Sequence, residues 1–76
     1  MKNKELALEK RAKIAQIIKK ERESREISLE DLAEKAGIKP YTLRNIEAGK
    51  FSPDSDLLCL IVNALGCDLK INDEII

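Results

Sequence analysis

Apolar residues return at helical spacing in four stretches of this chain, each bounded by glycine, proline or a short polar residue. The first runs from Lys4 to about Arg25 without glycine or proline, its apolar stripe being Ile14, Ile17 and Ile18, with Leu6 and Leu8 as an earlier extension. From Lys13 onward it reads as one helix; Met1 to Arg11 is either a helical extension or a basic arm that frays. In the second stretch Ser28 caps a face of Leu29, Leu32, Ala33 and Ala36, and Asp31 stands where a reciprocal capping side chain belongs. Gly37 stops that helix, because glycine takes the left-handed conformation at no steric cost and lets the chain reverse. The third begins at Pro40, whose missing N–H suits a first helical position, and Ile38, Leu43 and Ile46 give it an apolar side. After a loop of Lys50, Phe51, Ser52 and Pro53, Asp54 and Asp56 mark the entry to a fourth helix through Leu65, closed by Gly66.

That fourth helix is apolar on every face from Leu57 to Val62, whereas a monomer's surface helix needs a polar side. A second subunit is the simplest cover for Leu57, Leu60 and Ala64. Asp68 to Asn72 then alternates, which predicts a short strand. Pairing with its symmetry mate would satisfy its backbone and lay Leu69 and Ile71 over the apolar helix; the alternative is an irregular tail packed on its own subunit. Ile75 and Ile76 are apolar without further pattern.

Two short amphipathic helices around Gly37 have the spacing of a helix-turn-helix, with Ala33 small enough to let them cross closely. The stretch resembles the Cro and phage-repressor type of this motif, the XRE family, through Leu32-Ala33-Glu34-Lys35, Gly37-Ile38, Thr42, Ile46-Glu47 and Gly49-Lys50. Pro53, Asp56, Leu58, Ile61 and Ala64-Leu65-Gly66 are similar to the family's next helix, so the likeness covers about residues 13 to 68. It implies an all-α domain of four or five helices, the second motif helix docking in the major groove of double-stranded DNA. Residues 1 to 12 are then the basic extension or arm, and 69 to 76 the tail expected to dimerise. The family core would take Leu58, Ile61 and Leu65, and a strand paired across a dimer is similar to the family's antitoxin branch. The resemblance also sets Arg22 against Glu47 as an architectural pair, with Arg22 near phosphate as well. Two positions depart from the family: Leu29 stands for a usual glutamine and Ala48 for a common asparagine.

With Leu43 and Ile46 turned inward, Lys39, Pro40, Tyr41, Arg44, Asn45 and Ala48 face out. Arg44 can bond guanine through two parallel donors, Asn45 can bond adenine's donor and acceptor, and Tyr41 can pack on a thymine methyl or bond a phosphate. Lys39 is a poor cap, which leaves first-turn amides to an anion or to water. Ser28 and Leu29, at the start of the first motif helix, and Lys50 and Ser52, beyond the second, are expected at the DNA backbone.

Charge changes this picture through its distribution. The 76 residues carry no net charge, but residues 1 to 25 hold nine Lys or Arg against four Glu, +5, and residues 54 to 76 hold one against five acids, −4. Counterion release depends on local contacts, so the basic leading helix can lie by phosphates while the acidic end points away. The size allows one small domain with a modest aliphatic core, near the length at which oligomerisation often adds stability; a homodimer is expected. Histidine is absent, and Cys59 and Cys67 are separated by seven residues, which argues against a metal, a cofactor or a redox pair. No apolar run approaches the length of a membrane span and no leader is evident, so a cytoplasmic protein with reduced thiols is expected. Nothing suggests an enzyme. The reading is a sequence-specific, homodimeric DNA-binding regulator, a repressor at a near-palindromic operator. The alternatives are an antitoxin that also holds a toxin or other regulatory protein, and an interaction module that has lost DNA binding.

Overall fold

Helix ends in this molecule are written by single residues. The computed structural model describes residues 2–76; Met1, part of the expected arm, lies outside them. Among the described residues there are four helices, α1 (Lys2–Ser24), α2 (Leu29–Ala36), α3 (Pro40–Glu47) and α4 (Ser55–Ala64), followed by strands β1 (Lys70–Ile71) and β2 (Glu74–Ile75). Ser28 Oγ accepts from the Asp31 N–H at 3.0 Å and Asp54 Oδ1 from the Leu57 N–H at 2.8 Å, so both expected caps form.

All four helices end in the same way. At α2, Gly37 is left-handed (φ 74), its N–H donates to Glu34 O at 3.1 Å, and the Ile38 N–H reaches Ala33 O at 2.9 Å, the paired bonds of a Schellman turn. Gly49 and Gly66 close α3 and α4 with equivalent bonds. At α1 the left-handed position is Glu26 (φ 54), with Glu26 N–H on Glu23 O and Ile27 N–H on Arg22 O. A side chain there is strained, since the Cβ crowds the following carbonyl.

α2 is the centre of the domain, packing on both α3 and α4, while α1 packs on α3. The core is Ile18, Leu32, Ala33, Ala36, Leu43, Ile46, Ile61 and Leu65, wholly aliphatic, with Ile14, Ile27, Leu29, Ile38, Leu57, Leu58, Ala64 and Cys67 half-buried against it. Arg25, itself paired with Glu21, donates to Cys67 Sγ at 3.1 Å and ties the end of α1 to the turn after α4.

Two expectations change, and one choice between alternatives is made. From Lys2 onward the leading segment takes the helical-extension form, as part of one 23-residue helix. At 1.5 Å per residue it runs about 34 Å, against a longest molecular dimension of 37 Å; its residues 3 to 10 touch little and are exposed. Ile17, taken as part of the inward stripe, is 50% exposed. The strand at Lys70 does form, but it pairs within its own subunit: Lys70 stands opposite Ile75 and Ile71 opposite Glu74, antiparallel. Asn72 makes the reversal possible, because asparagine tolerates the left-handed conformation it adopts there (φ 55). The Ile76 N–H on Leu69 O at 2.7 Å extends the ladder.

Candidate nucleic-acid interface

The exposed side of α3 collects most of the residues singled out from the sequence. Lys39, Pro40, Tyr41, Arg44 and Ala48 are exposed and Asn45 is half-buried, while Leu43 and Ile46 are fully inside. Lys39 supplies no side-chain cap, so the first-turn N–H groups and the positive end of the helix dipole face outward unclaimed.

α3 is fixed at its other end by Arg22 and Glu47. Arg22 Nε donates to Glu47 Oε2 at 2.7 Å and Nη2 to Oε1 at 2.9 Å, with side chains 13% and 6% exposed, and Arg22 Nη1 also donates to Ile27 O at 2.9 Å. This two-pronged geometry fits the guanidinium fork to the carboxylate. Hydrogen bonding to Glu47 outweighs the cost of burial and holds Arg22 above the ordinary arginine range. The guanidinium is thereby spent on joining α1, the turn at Ile27 and α3.

Beside that pair lies an open cleft of about 260 Å³ lined by Lys19, Arg22, Leu29, Arg44, Glu47 and Ala48. With Arg22 neutralised by Glu47, Lys19 and Arg44 are the remaining cations in its lining. Leu29 and Ala48, the two departures from the family pattern, are 19 residues apart in sequence and share this one cleft. Leu29 is half-buried against the core. The Ser28 hydroxyl oxygen is engaged as the α2 cap, which leaves its proton free to donate. Lys50 and Ser52 are exposed in the loop after α3, and the Lys50 N–H is held on Asn45 O at 3.0 Å.

Two neighbours of this face were missed in the sequence. Glu30, on the first turn of α2, brings a carboxylate oxygen to 3.9 Å from Arg44 Nη2, both side chains being well exposed. Only the helix crossing puts it there. Phe51 shares a second cleft, of about 200 Å³, with Tyr41, Thr42 and Asn45; its aromatic ring in a polar loop was the available signal.

The residues expected at a dimer contact do not stay together. Leu57 and Ala64 are half-buried on their own core, Leu60 and Ile71 are 51% and 66% exposed, and Leu69 lines a third cleft of about 280 Å³ with Ile17, Ile18, Glu21, Val62, Leu65, Cys67 and Asp68. Among the described residues no helix is long and apolar enough to cross a membrane.

Comparison with known proteins agrees with this geometry. No curated protein matches the chain. The clp gene regulator ClgR from Corynebacterium glutamicum shares the fold with a TM-score of 0.73 and 28% sequence identity over 75% of this chain, which spans 61% of the ClgR chain. A family model described as Helix-turn-helix (HTH_3) matches residues 18–71, from the middle of α1 through β1. The chain belongs to the XRE-type helix-turn-helix family of DNA-binding domains.

Proposed function

We propose that this protein is a sequence-specific transcriptional regulator that binds a near-palindromic operator as a homodimer and represses by occupying it. The observation that carries the reading is the outward face of α3, where Arg44 and Asn45 stand between an uncapped, Lys39-bearing N-terminus and a cleft holding Lys19. Arg44 reads guanine and Asn45 adenine; Lys19, Lys39, Lys50, Ser28 and Ser52 contact the backbone and set register. Regulation of genes by ClgR supports the same class of activity here.

Support for the second copy comes from apolar surface. Ile17, Leu60, Ile71, Ile75 and Ile76 are each at least half exposed on α1, α4 and the hairpin, and Ile17 lines the same cleft as Leu69. Two subunits related by a twofold axis would present their α3 helices to successive major grooves, roughly 34 Å apart.

Selection of duplexes from a randomised pool at near-physiological salt, with light scattering of the purified chain, tests the proposal. An enriched inverted repeat bound by two subunits is expected. A pool that stays random, or a protein that binds its selected site as one subunit, overturns the regulator or the dimer respectively.

A further inference from the structure

Tyr41 and Phe51 are the only aromatic residues in the chain, and neither is in the core. Aromatic rings normally supply much of a small domain's buried area, but Tyr41 and Phe51 remain 69% and 44% exposed. They come from different elements, the first turn of α3 and the loop after it, yet they wall the same cleft. Its remaining lining is Thr42 and Asn45, with no charged group. A cleft with two aromatic walls and one carboxamide matches the major-groove edge of an A·T pair, which offers an acceptor and a donor on adenine and a methyl group on thymine. A G·C edge has no methyl to place between the rings.

We propose that Phe51 is a specificity-determining residue: with Tyr41 it forms a clip for a thymine 5-methyl group, in the same base pair as the adenine bound by Asn45. The inference rests on the DNA-binding reading above and adds a base contact from outside α3. Thr42, half-buried, shares the lining of the cleft. The clip turns a surface that costs stability into discrimination against G·C at one position of each half-site.

The test uses the operator recovered by selection. Each thymine is replaced in turn by deoxyuridine, which removes one methyl and keeps every hydrogen bond. Affinity of the unaltered protein should fall about threefold to fivefold at one or two positions per half-site, the effect of one methyl withdrawn from an apolar contact, and nowhere else. Phe51→Ala should bind thymine and deoxyuridine at that position equally while melting like the parent. Exchanging that A·T pair for G·5-methylcytosine should not restore affinity, because Asn45 then lacks its adenine. An enriched operator indifferent to every deoxyuridine refutes this inference alone, as does a methyl effect that survives Phe51→Ala. Full affinity for the 5-methylcytosine operator refutes thymine as the occupant. A pool without enrichment refutes the DNA-binding reading itself.

Discussion

Removing the Glu47 carboxylate should cost more stability than any other surface-adjacent substitution, because it strands Arg22. In Glu47→Ala the guanidinium keeps its bond to Ile27 O and stays close to its present place, but loses two charge-assisted bonds of 2.7 and 2.9 Å. Breaking a fully buried pair costs about 3 to 5 kcal/mol. Here the pair borders an open cleft through which water can reach the orphaned cation, so the loss should be smaller, about 2 to 3 kcal/mol. A chain of 76 residues loses about 6 °C of melting temperature per kcal/mol, so thermal denaturation should show a fall of about 12 to 18 °C.

The double variant Arg22→Met with Glu47→Leu has no stranded charge and should melt above Glu47→Ala, with a coupling energy of about 2 kcal/mol. Arg22 is held above the ordinary arginine range, so the part of this stability owed to its charge is fully present below that range. It disappears only as pH rises through the still higher folded value. The melting deficit should therefore not shrink between neutral pH and mildly alkaline pH. A Glu47→Ala variant melting within about 3 °C of the parent would place the pair among exposed ion pairs worth under 1 kcal/mol and refute the reasoning.

Three further outcomes follow from the same geometry. Glu30→Gln frees Arg44 from a loose 3.9 Å contact and removes a carboxylate beside the proposed DNA-binding face, so operator affinity measured by fluorescence anisotropy should rise about twofold to fivefold at low salt, the gain vanishing at high salt. Glu26→Gly relieves the one left-handed helix terminus that lacks glycine; the relief of about 1 to 2 kcal/mol exceeds the added freedom of the unfolded chain, so chemical denaturation should show a net gain of about 0.5 to 1 kcal/mol. Lys19, Lys39, Arg44 and Lys50 are four exposed cations on this face, so a dimer that used all of them would give a log affinity against log salt slope of about −7, and a single copy about −4.

Much of this was legible in the chain because the decisive signals are local. Ser28, Gly37, Pro40, Asp54 and Gly66 each act through their own backbone or that of a residue within one turn, so the bounds of α2, α3 and α4 follow from sequence. The bidentate Arg22–Glu47 bond was expected from resemblance rather than from spacing, since 25 residues separate the partners. What escaped was set at longer range or by competition between readings. The closing hairpin needed Ile71-Asn72-Asp73-Glu74-Ile75 to be seen as two short runs about an Asn-Asp turn, yet strands of two residues carry almost no alternation to read. Glu30 meets Arg44, and Phe51 meets Tyr41, only because of how α2, α3 and the following loop cross.

The same crossing makes the two departures from the family a single change. Leu29 and Ala48, far apart in sequence, line one cleft with Lys19 and Arg44. Short polar side chains there would hold a phosphate through directed hydrogen bonds, which salt weakens little. Aliphatic ones leave the phosphate to two mobile cations, whose attraction is long-ranged and falls steeply with salt. Leu29 in turn packs on the core, a gain in burial that glutamine would not match. On the DNA-binding reading proposed above, affinity shifts from fixed hydrogen bonds at the flank of α3 to diffuse charge, and discrimination rests on Arg44, Asn45 and the aromatic cleft. A neutral chain can bind DNA on these terms because residues 1 to 25 carry a net +5 and residues 54 to 76 a net −4, while Asp54 is engaged as a helix cap and Glu47 with Arg22.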